Sequence, residues 1–194
     1  MRDILIDKFL SQSRLGVYND FTQYEQNLKD SKHYYILLAI LEVSLRNSIS
    51  DYFSKHIDNN WMENDFLNNN SKKRIKEVKS RLSQRSDSLS TDKILAELSF
   101  GFWTALFRKD YAPIMRTKAI KHIFPNLPSK DERFIDRNYI NKKLNHIRVF
   151  RNRIFHYEKI INKSEFSEID ADIYEILEFF DTDIKEFAQR LNNG

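Results

Sequence analysis

The sequence contains no cysteine and few residues that break helices, with only three glycines and three prolines in 194 positions. Without cysteine the chain cannot form disulfides, bind zinc through thiolates or use thiol catalysis, and it suits a reducing compartment. So few turn-forming residues favour long helices over hairpins. We therefore expect an all-α fold, and residues 1–194 are predicted to form a single domain because no linker divides them.

Long apolar runs are also missing. The densest, residues 34–41, is much shorter than the about 18 residues that indicate a membrane-spanning helix. Charged residues interrupt the apolar positions of residues 1–8, which is not typical of a signal peptide. We expect a cytoplasmic protein with no membrane partner.

Negative charge is scarce in most of the chain. Residues 165–194 carry nine acidic and two basic residues, which leaves 30 basic and 19 acidic residues in 1–164. Residues 137–157 contain no acidic residue at all. This balance favours a polyanionic partner for the main body, with the acidic C-terminal helix facing elsewhere. The plainer alternative is that basic runs, such as residues 72–85, are solvated helix faces.

Apolar spacing and capping residues predict a chain of helices separated by short polar loops. Ser31 is a candidate cap for the long central helix, and Ser90 or Thr91 for a later one. Loops are expected around residues 59–61 and 68–70. The predicted helices span residues 3–13, 20–29, 32–57, 72–86, 92–109, 111–123, 131–157 and 167–191. The last has the clearest apolar period, with Ile169, Ile173, Ile176, Phe180, Ile184, Phe187 and Leu191.

The acid-free run closes with Arg151, Asn152 and His156. An arginine can grip a phosphodiester, and a neutral histidine can move a proton beside it. On a straight helix Asn152 and His156 share a face, whereas Arg151 lies about 140° away. Arg151 would have to wrap back, or the helix would have to kink or end near Phe155. The alternative for His156 is an exposed histidine that the helix dipole favours.

An arginine followed four to six residues later by a histidine is a weak signal, because short motifs recur by chance. Arg116 and His122 form such a pair, and only the acid-free context favours Arg151 and His156. No acidic cluster accompanies the motif, which argues against a two-metal nuclease. We therefore predict neither a metal nor a cofactor. The same run supplies the candidate RNA-binding side chains Lys142, Lys143, Arg148, Arg153 and Tyr157.

Glu42, Arg46 and Asn47 interrupt the otherwise apolar residues 36–49. Glu42 and Arg46 are spaced i,i+4 with the acid first, which is the favourable order for an ion pair. One interpretation is an internal ion pair that orders the helices. The other is that Glu42 or Asn47 reaches the acid-free helix and orients His156.

Residues 98–107 place Gly101 among aromatic residues. A glycine inside a helix costs about 1 kcal/mol relative to alanine, so Gly101 indicates the close approach of a helix or a ligand. Packing is the favoured explanation. The alternative is that exposed Phe100, Phe102 and Trp103 stack on RNA bases.

Together these segments resemble the bacterial Abi-like abortive-infection family, a branch of the HEPN superfamily of helical, often dimeric ribonucleases. The matching pieces are residues 41–47 with Trp61, residues 98–103 and residues 151–158. The resemblance implies a HEPN-like helical bundle with long central helices and additional helices. It also implies metal-independent RNA cleavage in phage defence or a toxin–antitoxin system. The implied active site is composed from two protomers and contains Arg151, Asn152 and His156.

The family often has His-His-Glu-Pro where this chain has His156-Tyr157-Glu158-Lys159, so each chain supplies one histidine there. One imidazole cannot be base and acid in the same step, so the expected homodimer would bring two copies of His156 to one cleft. The expected partners are RNA, a second copy of the chain and a neutralising antitoxin protein or RNA. One competing prediction is a non-catalytic RNA-binding module or toxin–antitoxin component. Another is a helical protein that recruits a partner through its acidic C-terminal helix.

Overall fold

Helices account for the regular structure of residues 9–193, the part of the chain that the computed structural model describes. That part contains no strand, so the predicted all-α fold is confirmed, while residues 3–8 of the first predicted helix lie outside it. None of its helices is long and apolar enough to cross a membrane. The helices are α1 (Gln12–Leu15), α2 (Phe21–His56), α3 (Asn69–Gln84), α4 (Thr91–Glu97), α5 (Phe100–Ala105), α6 (Thr117–Ile123), α7 (Arg137–Phe155), α8 (Ile169–Phe180) and α9 (Thr182–Asn193). Short 3-10 turns occur at Trp61–Glu63, Lys109–Tyr111 and Ser164–Phe166.

Helix α2 is continuous over 36 residues, about 54 Å at the usual rise per residue. The prediction of two helices that divide near Ser31 is therefore wrong. Asp20 is the cap, because its Oδ1 accepts from the backbone N–H of Gln23 at 2.8 Å. The Ser31 hydroxyl instead donates to the Asn27 carbonyl at 2.7 Å, a bond that helices accommodate. The predicted apolar face is buried at Leu38, Leu41, Leu45, Ile49 and Phe53.

Helix α3 begins three residues earlier than predicted. Asn68 is its cap, and the Oδ1 of Asn68 accepts from the N–H of Ser71 at 2.9 Å. Asn69 and Asn70, predicted to be loop, therefore belong to the first helical turn. Trp61, predicted to lie in a polar loop, is fully buried in a 3-10 turn.

The helix predicted over residues 92–109 is divided into α4 and α5. Leu98 and Ser99 between them have extended backbone angles. The Leu98 carbonyl accepts from the indole N–H of Trp103 at 3.3 Å, and this tertiary bond replaces helical hydrogen bonding. Ser90 caps α4, as one of the two predicted alternatives states.

The last predicted helix is also divided, into α8 and α9, at Asp181. The Asp181 carboxylate accepts from the N–H of Asp183 at 2.7 Å, a local bond that competes with helix continuation. Helix α6 covers only the end of predicted residues 111–123. Pro113 precedes it and has no N–H to donate.

Helices α2 and α7 form the framework of the candidate site. Helix α2 packs against α5, α6, α8 and α9, and α7 packs against α5 and α8. The buried apolar side chains of all these helices form one cluster. Trp61 and Trp103, both fully buried, meet edge to face at its centre with ring centroids 6.1 Å apart. Helix α7 begins later than predicted, because the Asp136 carboxylate accepts from the N–H of Tyr139 at 2.7 Å and caps it there.

Candidate functional site

Helix α7 ends at Phe155, one residue before His156, and not at residue 157 as predicted. Tyr157 follows in the left-handed conformation, with φ 56°. The N–H of Tyr157 donates to the Ile154 carbonyl at 3.0 Å, and the N–H of Glu158 donates to the Arg153 carbonyl at 2.8 Å. These two bonds form a Schellman motif, which satisfies the last carbonyls of a helix. The backbone that presents His156 is therefore well defined, while its side chain is exposed.

His156 lines a cavity of about 520 Å³, which we call the His156 cavity. Glu158 is the acidic residue among the described residues that line it. Cationic side chains outnumber it, so the potential around the imidazole is positive and attracts anions. The cations that line the cavity are Arg14, Arg153, Lys159 and Lys163.

One wall of the His156 cavity is held by Asn27, which is completely buried. The Asn27 amide donates from Nδ2 to the Glu158 carbonyl at 3.2 Å. Its Oδ1 accepts from the N–H groups of Ile160 at 2.7 Å and Ile161 at 3.3 Å. Three bonds from one buried side chain fix the segment that follows His156. Asn27 is not among the residues predicted from the sequence, because nothing local distinguishes it from the neighbouring amide of Gln26.

Helix α1 and the loop after it form the opposite wall. Arg14 donates from Nη1 to the Tyr157 carbonyl at 2.8 Å, and Lys159 donates to the Val17 carbonyl at 2.9 Å. Tyr18 also lines the cavity, and its buried hydroxyl has no hydrogen-bond partner among the described residues. Burial raises the pKa of Tyr18, so its hydroxyl keeps its proton. It is therefore an unused proton donor in this wall.

Arg151 is directed toward α2. Its Nη2 donates to Oε2 of Glu42 at 3.3 Å, and its guanidinium lies 4.1 Å from the ring centroid of Phe155. Both members of the ion pair are about one quarter exposed. The i,i+4 spacing of Glu42 and Arg46 does not give an ion pair, because Glu42 pairs across the helix interface instead. Glu42 reaches the acid-free helix as one interpretation expects, but it contacts Arg151 and not His156.

Arg151 and His156 lie on different sides of α7. Arg151 contacts α2, whereas His156 borders the cavity beside α1, as their angular separation predicts. Asn152 is half-buried, and its carbonyl accepts from the N–H of His156 at 2.9 Å. Within one chain the structure thus brings His156 together with Arg153 in a single cavity and leaves Arg151 outside it.

The other predicted residues are dispersed. Asn47 lines a separate cavity of about 300 Å³ with Asp51 and His122. Arg46 is half-buried and forms no ion pair within residues 9–193. Lys142 and Tyr157 are exposed, and Arg148 faces α3 and α5.

Lys143 lies on the flank of α7 that packs against α8. It forms an ion pair with Asp172, whose side chain is 8% exposed, and another with Glu175 at 3.1 Å. His146 bonds to the same Asp172 carboxylate at 2.6 Å and to the Glu165 carbonyl at 2.6 Å. The expectation that the acidic C-terminal helix faces elsewhere is therefore wrong, because its carboxylates neutralise this flank.

The competing pair, Arg116 and His122, has a different setting. The Nε2 of His122 lies 3.0 Å from the Asp51 carboxylate, and its ring packs against Tyr52 and His56. Hydrogen bonds from Lys55 and His122 lower the pKa of Asp51. His122 is thus held in a structural contact between α6 and α2.

The structure supports neither explanation drawn from the sequence for residues 98–107, close packing at Gly101 or stacking of the aromatic side chains on RNA bases. A Cβ at position 101 would lie 3.7 Å or more from its nearest neighbours, which is ordinary contact, so packing does not require glycine. Phe100, Phe102 and Trp103 are almost completely buried, so they cannot stack on RNA bases. The neighbours of Gly101 are the side chains of Arg74 and Arg148.

No family model matches this chain, and neither a curated protein nor a solved structure matches it significantly. Membership of the HEPN superfamily therefore stays a prediction from the motifs. Among the described residues, no group of three or more histidine, aspartate or glutamate side chains is placed to bind a metal ion.

Proposed function

We propose that this protein is a HEPN-type endoribonuclease that cleaves RNA without a metal or other cofactor. The observation that carries the proposal is the exposed His156, presented by a defined turn in a cavity lined by four cations and one acid. An imidazole beside cations suits proton transfer next to a phosphodiester. We further propose that it acts in the cytoplasm in phage defence or a toxin–antitoxin system, where an antitoxin protein or RNA would neutralise it.

In the proposed reaction, neutral His156 removes the proton from a ribose 2′-hydroxyl. The freed oxygen attacks the adjacent phosphorus, and the P–O5′ bond breaks as the new P–O2′ bond forms. The leaving oxygen takes a proton from an acid, which yields a 2′,3′-cyclic phosphate and a 5′-hydroxyl end. Arg151 would stabilise the phosphorane oxygens, and Asn152 would orient His156 or a phosphate oxygen.

The separation of Arg151 from the His156 cavity favours a site composed from two chains. Tyr35 and Phe155 are exposed, and their rings are in edge contact with centroids 5.5 Å apart beside Arg151. A twofold axis near this apolar surface would bring the Arg151 of one chain toward the His156 of the other. The second His156, when protonated, would then supply the acid.

A site within one chain is the alternative for the same reaction. Arg153 would then hold the phosphate, because it shares the cavity with His156. Water would then protonate the leaving oxygen, because the hydroxyl of Tyr18 is buried. Arg151→Ala and Arg153→Ala distinguish the two arrangements, because the variant that loses more cleavage identifies the arginine at the phosphate.

A non-catalytic RNA-binding module is the second candidate function. The observation that favours it is the Glu42–Arg151 ion pair, which gives Arg151 a role in holding α2 against α7. The basic surface would then bind RNA, or an RNA antitoxin, without cleaving it.

Incubation of RNA with the protein in the presence of a chelator tests the proposal. We expect cleavage by the wild type and a loss of at least about 100-fold in His156→Ala, the usual contribution of a general base. Arg116→Ala and His122→Ala serve as controls and should keep most of the activity. Intact RNA with every variant would favour the binding module, and activity that the chelator removes would indicate a metal nuclease.

A further inference from the structure

Three arginines from separate segments lie near one another, two of them (Arg74 and Arg148) beside Gly101, and we call them the arginine cluster. Arg74 lies on α3, Arg108 follows α5, and Arg148 lies on α7. Arg74 and Arg108 line one cavity. A Cβ at position 101 would lie 3.8 Å from both Arg148 Cδ and Arg74 Nη1, so Arg148 lies close to Arg74, which lines that cavity.

The cluster has no acidic partner, since none of its three members forms an ion pair within residues 9–193. Neighbouring cations on the same helices are neutralised: Lys72 lies 2.8 Å from the Asp65 carboxylate, and Lys143 pairs with Asp172. The hydrogen bond of Arg148 is to the neutral amide of Asn145 at 2.8 Å. Burial and the nearby charges of the other two arginines lower the pKa of Arg148. The fold therefore holds three arginines near one another with no ion pair to any of them, although Asp110 lines the same cavity as Arg74 and Arg108.

The cavity that Arg74 and Arg108 line suits a single anionic group. Its volume is about 140 Å³, below the about 300 Å³ at which pockets for whole small molecules begin. The first turn of α3 borders it with Asn70 and Ser71, and the positive end of that helix dipole adds to the attraction. Asp110 is the acidic residue among those that line it, and its Oδ2 accepts from Asn68 Nδ2 at 3.4 Å.

We propose that the arginine cluster binds a backbone phosphate of RNA and anchors the strand at a distance from His156. The proposal rests on the proposed function for the identity of the ligand. Three guanidinium groups from different elements give the forked donors that phosphate oxygens accept. The absence of a side chain at Gly101 keeps the space between Arg74 and Arg148 open.

Binding of a short single-stranded 2′-O-methyl RNA, which cannot be cleaved, tests the cluster directly. Arg74→Gln, Arg108→Gln and Arg148→Gln should each weaken binding roughly tenfold at low salt and reduce the slope of log affinity against log salt by about 0.7. Arg116→Gln is the control, because Arg116, like Arg108, is exposed and forms no ion pair in the described part of the chain. Cluster variants that bind as tightly as the wild type would overturn the proposal.

Substitution at Gly101 supplies a second readout. Gly101→Glu places a carboxylate among the arginines, so it should raise the thermal midpoint and weaken RNA binding at least tenfold. Gly101→Gln has the same shape without the charge and should weaken binding much less. Equal binding by the Glu and Gln variants would contradict an electrostatic role for the cluster.

Two further measurements distinguish RNA binding by the cluster from the proposed ribonuclease activity and from binding of a small phosphate ligand. A wild type that binds the modified RNA through the cluster but leaves unmodified RNA intact would overturn the ribonuclease assignment and support the cluster. Cleavage that proceeds with unchanged KM in all three arginine variants would support the ribonuclease assignment and overturn RNA binding by the cluster. Displacement of the RNA by equimolar inorganic phosphate or mononucleotide would overturn the backbone assignment in favour of a small phosphate ligand.

Discussion

The two flanks of helix α7 carry cations in opposite electrostatic states. On the flank that packs against α8, Lys143 and His146 share the buried carboxylate of Asp172. On the flank near α5, Arg148 meets Arg74 and no acid. The first flank stabilises the fold, whereas Arg148 on the second forms no ion pair with the described residues. A basic run in a sequence therefore does not show which of its cations are free of ion pairs, because the acidic partners come from a distant segment.

Asp172→Asn should remove the ion pairs of Asp172 with Lys143 and His146 and have the largest effect on stability. Removal of one partner from a buried ion pair costs about 3–5 kcal/mol, but Lys143 is one quarter exposed and keeps Glu175 at 3.1 Å. We therefore expect a loss of about 2 kcal/mol in the free energy of unfolding, measured by urea denaturation.

Arg148→Gln is the matched change on the other flank, and it should leave the free energy of unfolding within about 0.5 kcal/mol or raise it. Removal of one of three like charges relieves repulsion and leaves no acid unpaired. If Arg148→Gln destabilised the protein as much as Asp172→Asn, both flanks would stabilise the fold equally, and the proposed difference between them would be wrong.

Glu42→Gln should cost about 1 kcal/mol, because its ion pair with Arg151 is partly screened by solvent. We expect the same variant to lose cleavage activity, since Arg151 would no longer be positioned. Arg46→Gln is the control for the local i,i+4 pair that the structure lacks, and it should change neither property. A double-mutant cycle of Glu42→Gln with Arg151→Gln measures the pair itself, and a coupling energy of zero would contradict it.

The turn that presents His156 gives the smallest expected effect. Tyr157 has φ 56°, where a side chain costs about 1 kcal/mol or more relative to glycine. Tyr157→Gly should therefore be more stable than Tyr157→Ala by roughly 0.5–1 kcal/mol in thermal unfolding. An alanine variant as stable as the glycine variant would show that the left-handed conformation is not strained.

The fold class was predictable because helical periodicity is a local signal. Leu38, Leu41 and Leu45 follow the helical period and are buried as predicted. In the last predicted helix the same rule succeeds for Ile173 and fails for Leu191, which is 43% exposed. The failure comes from the break at residue 181, where a short-range side-chain bond ends the helix.

The candidate site was less predictable, because its contacts join residues far apart in the sequence. The i,i+4 rule assigned Glu42 to Arg46, but the tertiary contact with Arg151 prevails. The buried Asn27 and the partners of Lys143 depend on how α2, α7 and α8 pack. Helix geometry offered an end near Phe155 as one way to bring Arg151 toward His156; α7 does end there, but Arg151 contacts Glu42 instead.

The most direct test of the central claim is the chemistry of RNA ends produced in chelator by the wild type and His156→Ala. We expect 2′,3′-cyclic phosphate and 5′-hydroxyl ends with the wild type. His156→Ala should keep the same thermal midpoint and yield no such products, because the exposed side chain contributes little to packing. Cleavage by His156→Ala at the wild-type rate, or wild-type products with other ends, would contradict the account.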